Sequence, residues 1–161
     1  MLKPIIRTLP ETKLIGQKKI TSFAKDETLA LWKSFAPRIK EIKNKVNADT
    51  YAVDIYPETS FFHQFDPKRT FEKWAAIAVR DYGQIPEGLE TLVIPKGVYA
   101  VFNYKGRPSD AMATFQYIYG DWLPNSKYEM DDRPYFALMG DQYKGEHTES
   151  EETFWIPIRP K

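Results

Sequence analysis

The chain has no cysteine, so disulfides, thiol nucleophiles and thiolate metal ligands are all excluded. That composition is consistent with a reducing cytoplasm. Only two histidines occur, His63 and His147, far apart and outside any metal-ligand spacing, so no metal, haem or other cofactor is expected. An excess of either charge is also missing. Lysine and arginine number 23 against 22 acidic residues, and the net charge of +1 is too small to hold a phosphate backbone. Direct nucleic-acid binding is therefore not expected. With about a dozen residues ahead of the first strand there is also no room for a helix-turn-helix. No apolar run reaches the length of a membrane span, and Arg7 and Pro10 break the N-terminal stretch before it can form a signal core. No P-loop, dinucleotide fingerprint or nucleophile elbow is present. These absences point to a soluble cytoplasmic protein with neither a membrane nor a nucleic acid as direct partner.

Aromatic residues are abundant: 10 Tyr, 10 Phe and 4 Trp in 161 residues, within an ordinary hydrophobic content of 42%. The length, 1–161, suits one domain with a sizeable core. Rings beyond the needs of that core can wall a ligand site.

Residues Leu92 to Pro124 form the clearest unit. Leu92 to Tyr104 is rich in β-branched and aromatic residues and reads as a strand, with Pro95 and Gly97 marking a bend or an edge. Gly106 supplies a turn, Ser109 can cap a helix, and Met112, Phe115, Ile118 and Trp122 recur at helical spacing until Pro124. Earlier, Lys13 to Phe23 reads as a strand in which Gly16 marks a bulge or a close backbone approach. Asp26 can cap a helix with the stripe Leu29, Trp32, Phe35, Ile39, Ile42 and Val46, kinked or restarted at Pro37, its lysines forming a solvated face. Thr50 to Pro57 and Phe71 to Arg80 read as strands, as do Tyr128 to Met130, Pro134 to Met139 and Thr153 to Pro160, with a polar segment through Arg69 and a charged loop from Asp141 to Glu152. The order strand, helix, strand, strand appears once in each half.

The run Ile94-Pro-Lys-Gly-Val-Tyr-Ala-Val-Phe-Asn-Tyr-Lys-Gly106, a helix closing on Asp121-Trp-Leu-Pro-Asn-Ser-Lys-Tyr128, and the terminal Trp155-Ile-Pro-Ile158 resemble the GyrI-like small-molecule-binding domain. The resemblance covers about Lys13 to Pro160. It implies an α+β fold of duplicated βαββ units: a curved antiparallel sheet with two helices on one face and a ligand cleft on the other. It also implies the effector-binding role known from AraC-type and MerR-type transcription regulators. The family's pocket strand commonly reads Phe-Glu-x-Tyr; here it reads Phe136-Ala-Leu-Met139, so Ala137 stands for the glutamate and Met139 for the ring.

Phasing each strand by its more apolar parity places Val53, Ile55, Ala75, Ile77, Val79, Phe136, Leu138, Phe154, Ile156 and Ile158 under the helices. The opposite parity collects Asp54, Tyr56, Trp74, Tyr135, Ala137, Met139 and Trp155 as candidate ligand-binding residues, with Trp32 and Trp122 assigned to the core. Asp54 is the candidate replacement for the missing glutamate, and Glu152 a second acid at the rim. Rings around one acid suit a flat or cationic organic ligand. The family resemblance implies three competing functions: a small-molecule sensor or sequestration module, a hydrolase of electrophilic aromatic natural products using Asp54 or Glu152, and an interaction protein of the gyrase-inhibitor type with a protein partner.

Overall fold

The computed structural model describes residues 2–63 and 65–161, and the structural statements below concern those residues. The strands are β1 (Ile5–Leu9), β2 (Thr12–Ser22), β3 (Lys45–Ile55), β4 (Thr70–Val79), β5 (Glu90–Ile94), β6 (Gly97–Lys105), β7 (Tyr128–Met130), β8 (Tyr135–Met139) and β9 (Glu151–Pro160). Helix α1 (Thr28–Phe35) and a 3₁₀ extension (Ala36–Glu41) connect β2 to β3. Helix α2 (Met112–Tyr117), a π turn (Ile118–Trp122) and a last turn (Leu123–Asn125) connect β6 to β7. Pro37 lies at the start of the 3₁₀ segment, where its ring ends the α-helical hydrogen bonding, as the sequence suggested. Ser109 does not cap α2; its hydroxyl donates to Glu146 Oε2 at 2.7 Å instead. Strand β1 escaped the sequence reading, because it is only five residues long and almost wholly exposed.

The strands pair antiparallel in the order β1-β6-β9-β8-β3-β4-β2-β5, with β7 beside β9. Within that order β2-α1-β3-β4 and β6-α2-β8-β9 are the same unit twice, meeting at the β3–β8 seam. The chain therefore has the expected α+β architecture of a curled antiparallel sheet with two helices. The curl has a covalent cause. β1 runs on into β2 through Pro10, β5 runs on into β6 through Pro95, and the pairs Leu9–Gly97 and Thr12–Ile94 continue one register. A single bent ladder thus contributes strands to both ends of the sheet and draws those ends toward each other.

Both faces of this sheet bury apolar side chains. On the helix side, Leu31 and Phe35 of α1 pack on Ile15, Ala75, Ile77 and Val79, while Phe115 of α2 and Ile118 of the π turn pack with Phe102, Ala137, Phe154 and Ile156. On the inner side of the curl, Leu14, Val53, Trp74, Ile94, Tyr99, Val101 and Phe136 form a core with no helical residue. The α1 stripe is shifted from the expected one: Leu31 is buried and Leu29 is 68% exposed.

Gly16 pairs with Ala76 of β4, and a Cβ on Gly16 would fall 2.1 Å from the Ala75 carbonyl oxygen and 2.8 Å from Ala76 Cα. Both obstacles are backbone, so relief requires the strands to part. Gly16→Ala is expected to cost about 1–3 kcal/mol, the usual scale of overpacking, read as a lower chemical-denaturation midpoint. An unchanged midpoint would mean that the two strands separate freely at this point.

Candidate functional site

Between α1 and α2, on the helix face of the sheet, lies a cavity of about 820 Å³. It exists because α1 packs over β2 and β4 while α2 packs over the other half, leaving the seam uncovered. Its floor is small at the centre, where Ala52 and Ala137 lie opposite each other across the seam. Its walls are rings: Trp32 from α1, Phe115 from α2, Tyr119 from the π turn after it, Tyr135 and Phe154 from the sheet, Tyr56 just past β3, and Phe23 and Phe62 from loops. Phe62 stacks on Tyr119 with centroids 4.2 Å apart, so the β3–β4 connection reaches across to the π turn after α2. A cavity of this size and apolarity accommodates a drug-sized organic molecule.

Four charged side chains line this apolar space: Asp26, Asp54, Lys73 and Glu152. Asp54 is 5% exposed; its Oδ2 accepts a 2.9 Å hydrogen bond from the Tyr56 hydroxyl, and its Oδ1 lies 3.4 Å from Lys73 Nζ. Burial raises the Asp54 pKa, while Lys73 and the Tyr56 hydroxyl work the other way. Glu152 is 8% exposed, and its Oε2 has no hydrogen-bond partner among the described residues. Burial pushes its pKa up to about 7, against the lowering effect of Lys73. Burial also holds the Tyr56, Tyr119 and Tyr135 hydroxyls well above their ordinary range, so they remain neutral donors. Among the described residues no group of three or more histidine, aspartate or glutamate side chains is placed to hold a metal ion.

Of the residues singled out in the sequence, Asp54, Tyr56, Tyr135, Ala137, Met139 and Glu152 come together on this cavity. Trp74 and Trp155 do not. Both lie with the inner core, Trp74 buried beside Val53 and Trp155 stacked on Phe136 at 5.1 Å. The cavity itself is on the helix side, so the expectation of a cleft on the face opposite the helices is corrected. The reason is cross-strand register. Paired residues share a face, and Val53 pairs with Trp74 while Phe136 pairs with Trp155. Choosing each strand's apolar parity separately had put the members of both pairs on opposite faces. Trp32, assigned to the core, does pack against the core under α1, and it also stands in the cavity wall. Lys73, Phe62 and Tyr119 were missed; the dense run Phe61-Phe62 with Phe65 was the one available signal.

The GyrI-like family model, described as a small molecule binding domain, matches residues 2–159. The chain belongs to the GyrI-like family. Its fold is similar to that of SAV2435, solved bound to tetraphenylphosphonium, at 16% identity and a TM-score of 0.74, covering 98% of this chain and 94% of the other. It is also similar to the EcmrR C-terminal domain, at 15% identity and a TM-score of 0.68, covering 100% and 99%. A hydrolase from Listeria innocua gives 11% identity and a TM-score of 0.63, covering 98% and 92%. No curated protein matches the chain. At these identities the likenesses establish the fold, and the family establishes a GyrI-like small-molecule-binding domain. No described helix is long and apolar enough to cross a membrane.

Within that family pattern Asp54 has a definite place. Val53 and Phe136 pair across the seam, and each pairs on its other side with a tryptophan. Asp54, one residue beyond Val53, therefore occupies in the first half the position that Ala137 occupies in the second.

Proposed function

We propose that this GyrI-like chain, as one domain spanning 1–161, binds aromatic organic cations in the inter-helix cavity and serves as a cytoplasmic sensor or sequestration module. The observation that carries the reading is the buried carboxylate of Asp54 in a ring-walled cavity of about 820 Å³. A desolvated acid attracts a cation more strongly than an exposed one, and the faces of Trp32, Tyr119 and Phe115 add cation–π attraction. The known ligand of SAV2435, tetraphenylphosphonium, is of this class.

The same cavity supports a second reading, because Glu152 titrates near neutrality and can accept or donate a proton there. A hydrolase would use it to activate water against an electrophilic aromatic substrate.

One pair of measurements separates them. Asp54→Asn is expected to weaken tetraphenylphosphonium binding about tenfold or more, the scale of a buried charge contact, while uncharged triphenylphosphine oxide binds as before. Equal affinity of both forms for the cation would remove Asp54 from the site. Turnover of an electrophilic aromatic compound, followed by mass and lost by about two to four orders of magnitude in Glu152→Gln, would establish the hydrolase instead.

A further inference from the structure

We infer that Lys73 is a built-in counter-ion of the cavity, which an incoming organic cation must displace from Asp54, and that it thereby sets which cations bind. The inference rests on the reading of the cavity as a cation site and deepens it.

The Asp54–Lys73 pair is not required by the fold. The pair Asp54–Lys73 on β3 and β4 has its counterpart in Ala137–Phe154 on β8 and β9, since Lys73 precedes Trp74 as Phe154 precedes Trp155. The second half folds the same way with a methyl group and a ring in those places. The contact is also loose. Its 3.4 Å separation exceeds the 2.7–2.9 Å usual for a charge-assisted hydrogen bond, and Oδ1 of Asp54 has no other partner among the described residues. Lys73 is nevertheless largely enclosed, with its side chain 18% exposed and its atoms on the cavity wall. An ammonium on a flexible four-carbon stem can leave such a contact and take up another.

A second acceptor stands ready. Glu152 also lines the cavity, its Oε2 is unpartnered, and the charge of Lys73 already acts on it. A ligand cation seated at Asp54 would drive Lys73 toward Glu152, leaving two ion pairs where there was one. For Glu152 to receive the ammonium it must be ionised, so its carboxyl proton passes to the solvent as the ligand binds. The charged and titratable groups acting around Glu152 are Lys73, Glu146 and the phenols of Tyr104, Tyr135 and Tyr143. The three phenols are all raised above their ordinary range and stay neutral through this pH region.

The test compares the wild type with Lys73→Met, Lys73→Gln and Lys73→Arg by isothermal titration at pH 7, in two buffers of different ionisation enthalpy. The probes are tetraphenylphosphonium, triphenylphosphine oxide and 2-naphthoate. Both neutral variants are expected to bind the phosphonium about tenfold more tightly than the wild type, with the phosphine oxide little changed and the Arg variant close to wild type. The wild type is expected to release a fraction of a proton per cation bound, and the Met and Gln variants none. Wild-type binding of the phosphonium with no gain in either neutral variant would overturn the inference while leaving the cation reading in place. Naphthoate binding that disappears with Lys73→Met would overturn it as well, because Lys73 would then be an anion receptor. Absence of phosphonium binding in all four proteins would sink the cation reading itself, and this inference with it.

Discussion

Replacing Trp74 by alanine is expected to destabilise the protein by about 3–5 kcal/mol, the range for emptying a buried aromatic site. It is expected to leave the affinity of the remaining folded protein for a cavity ligand unchanged. The indole is 3% exposed and packs among Leu14, Val53, Ile94, Tyr99, Val101 and Phe136 on the inner side of the curl. None of those six residues lines the inter-helix cavity. Strands from both halves meet there, so collapse around the vacancy would have to move β2, β3 and β8 together, which keeps the cost high. Denaturant unfolding gives the stability change, and titration with tetraphenylphosphonium at a temperature where the variant is folded gives the affinity. A near-normal denaturation midpoint with binding lost would return Trp74 to the ligand site. Trp32→Ala serves as the contrast, because that half-buried ring lies on the cavity and its loss should weaken binding more than folding.

The stability of the ligand-free protein should fall as pH rises from about 5 to about 8. Glu152 is one source of the slope. Its carboxyl titrates at about 7 in the folded chain against an ordinary value of 4.5, because burial penalises the charged form. The folded state therefore holds that proton more tightly than the unfolded state does. Its contribution is complete below the unfolded value and disappears as pH climbs through the folded one. The difference amounts to about 3 kcal/mol at 1.36 kcal/mol per pKa unit, or about 6–12 °C in Tm for a domain of this size. Asp54, raised by the same cause, adds a slope of the same sign. Thermal melts across that pH range should show the decline in the wild type and a much flatter profile in Glu152→Gln. A wild-type profile without slope would mean that water reaches Glu152 freely. Saturating phosphonium should reduce the slope too, if the displaced Lys73 stabilises the ionised carboxylate.

Much of this protein is legible in its sequence, and the legible parts are local. Pro37 and Pro95 announce a helix break and a strand bend because a missing amide hydrogen acts where it stands. Gly16 announces a close backbone approach for an equally local reason, the absence of a Cβ. Alternation along β3 and β8 separates Asp54, Tyr56, Tyr135, Ala137 and Met139 from Val53, Phe136 and Leu138, since successive side chains of one strand must point to opposite faces. The duplicated order of elements, together with the spaced motifs, leads to the family. Which face of each strand meets a helix is decided elsewhere. Both faces of the curled sheet bury apolar groups, so hydrophobicity cannot choose between them. The choice is made by the pairing of Val53 with Trp74, of Ala52 with Ala137 and of Phe136 with Trp155, between residues tens of positions apart. That long-range register removes both sheet tryptophans from the cavity, admits Trp32 to it, and sets Lys73 against Asp54. The period of two is a property of one strand, whereas a shared face is a property of two.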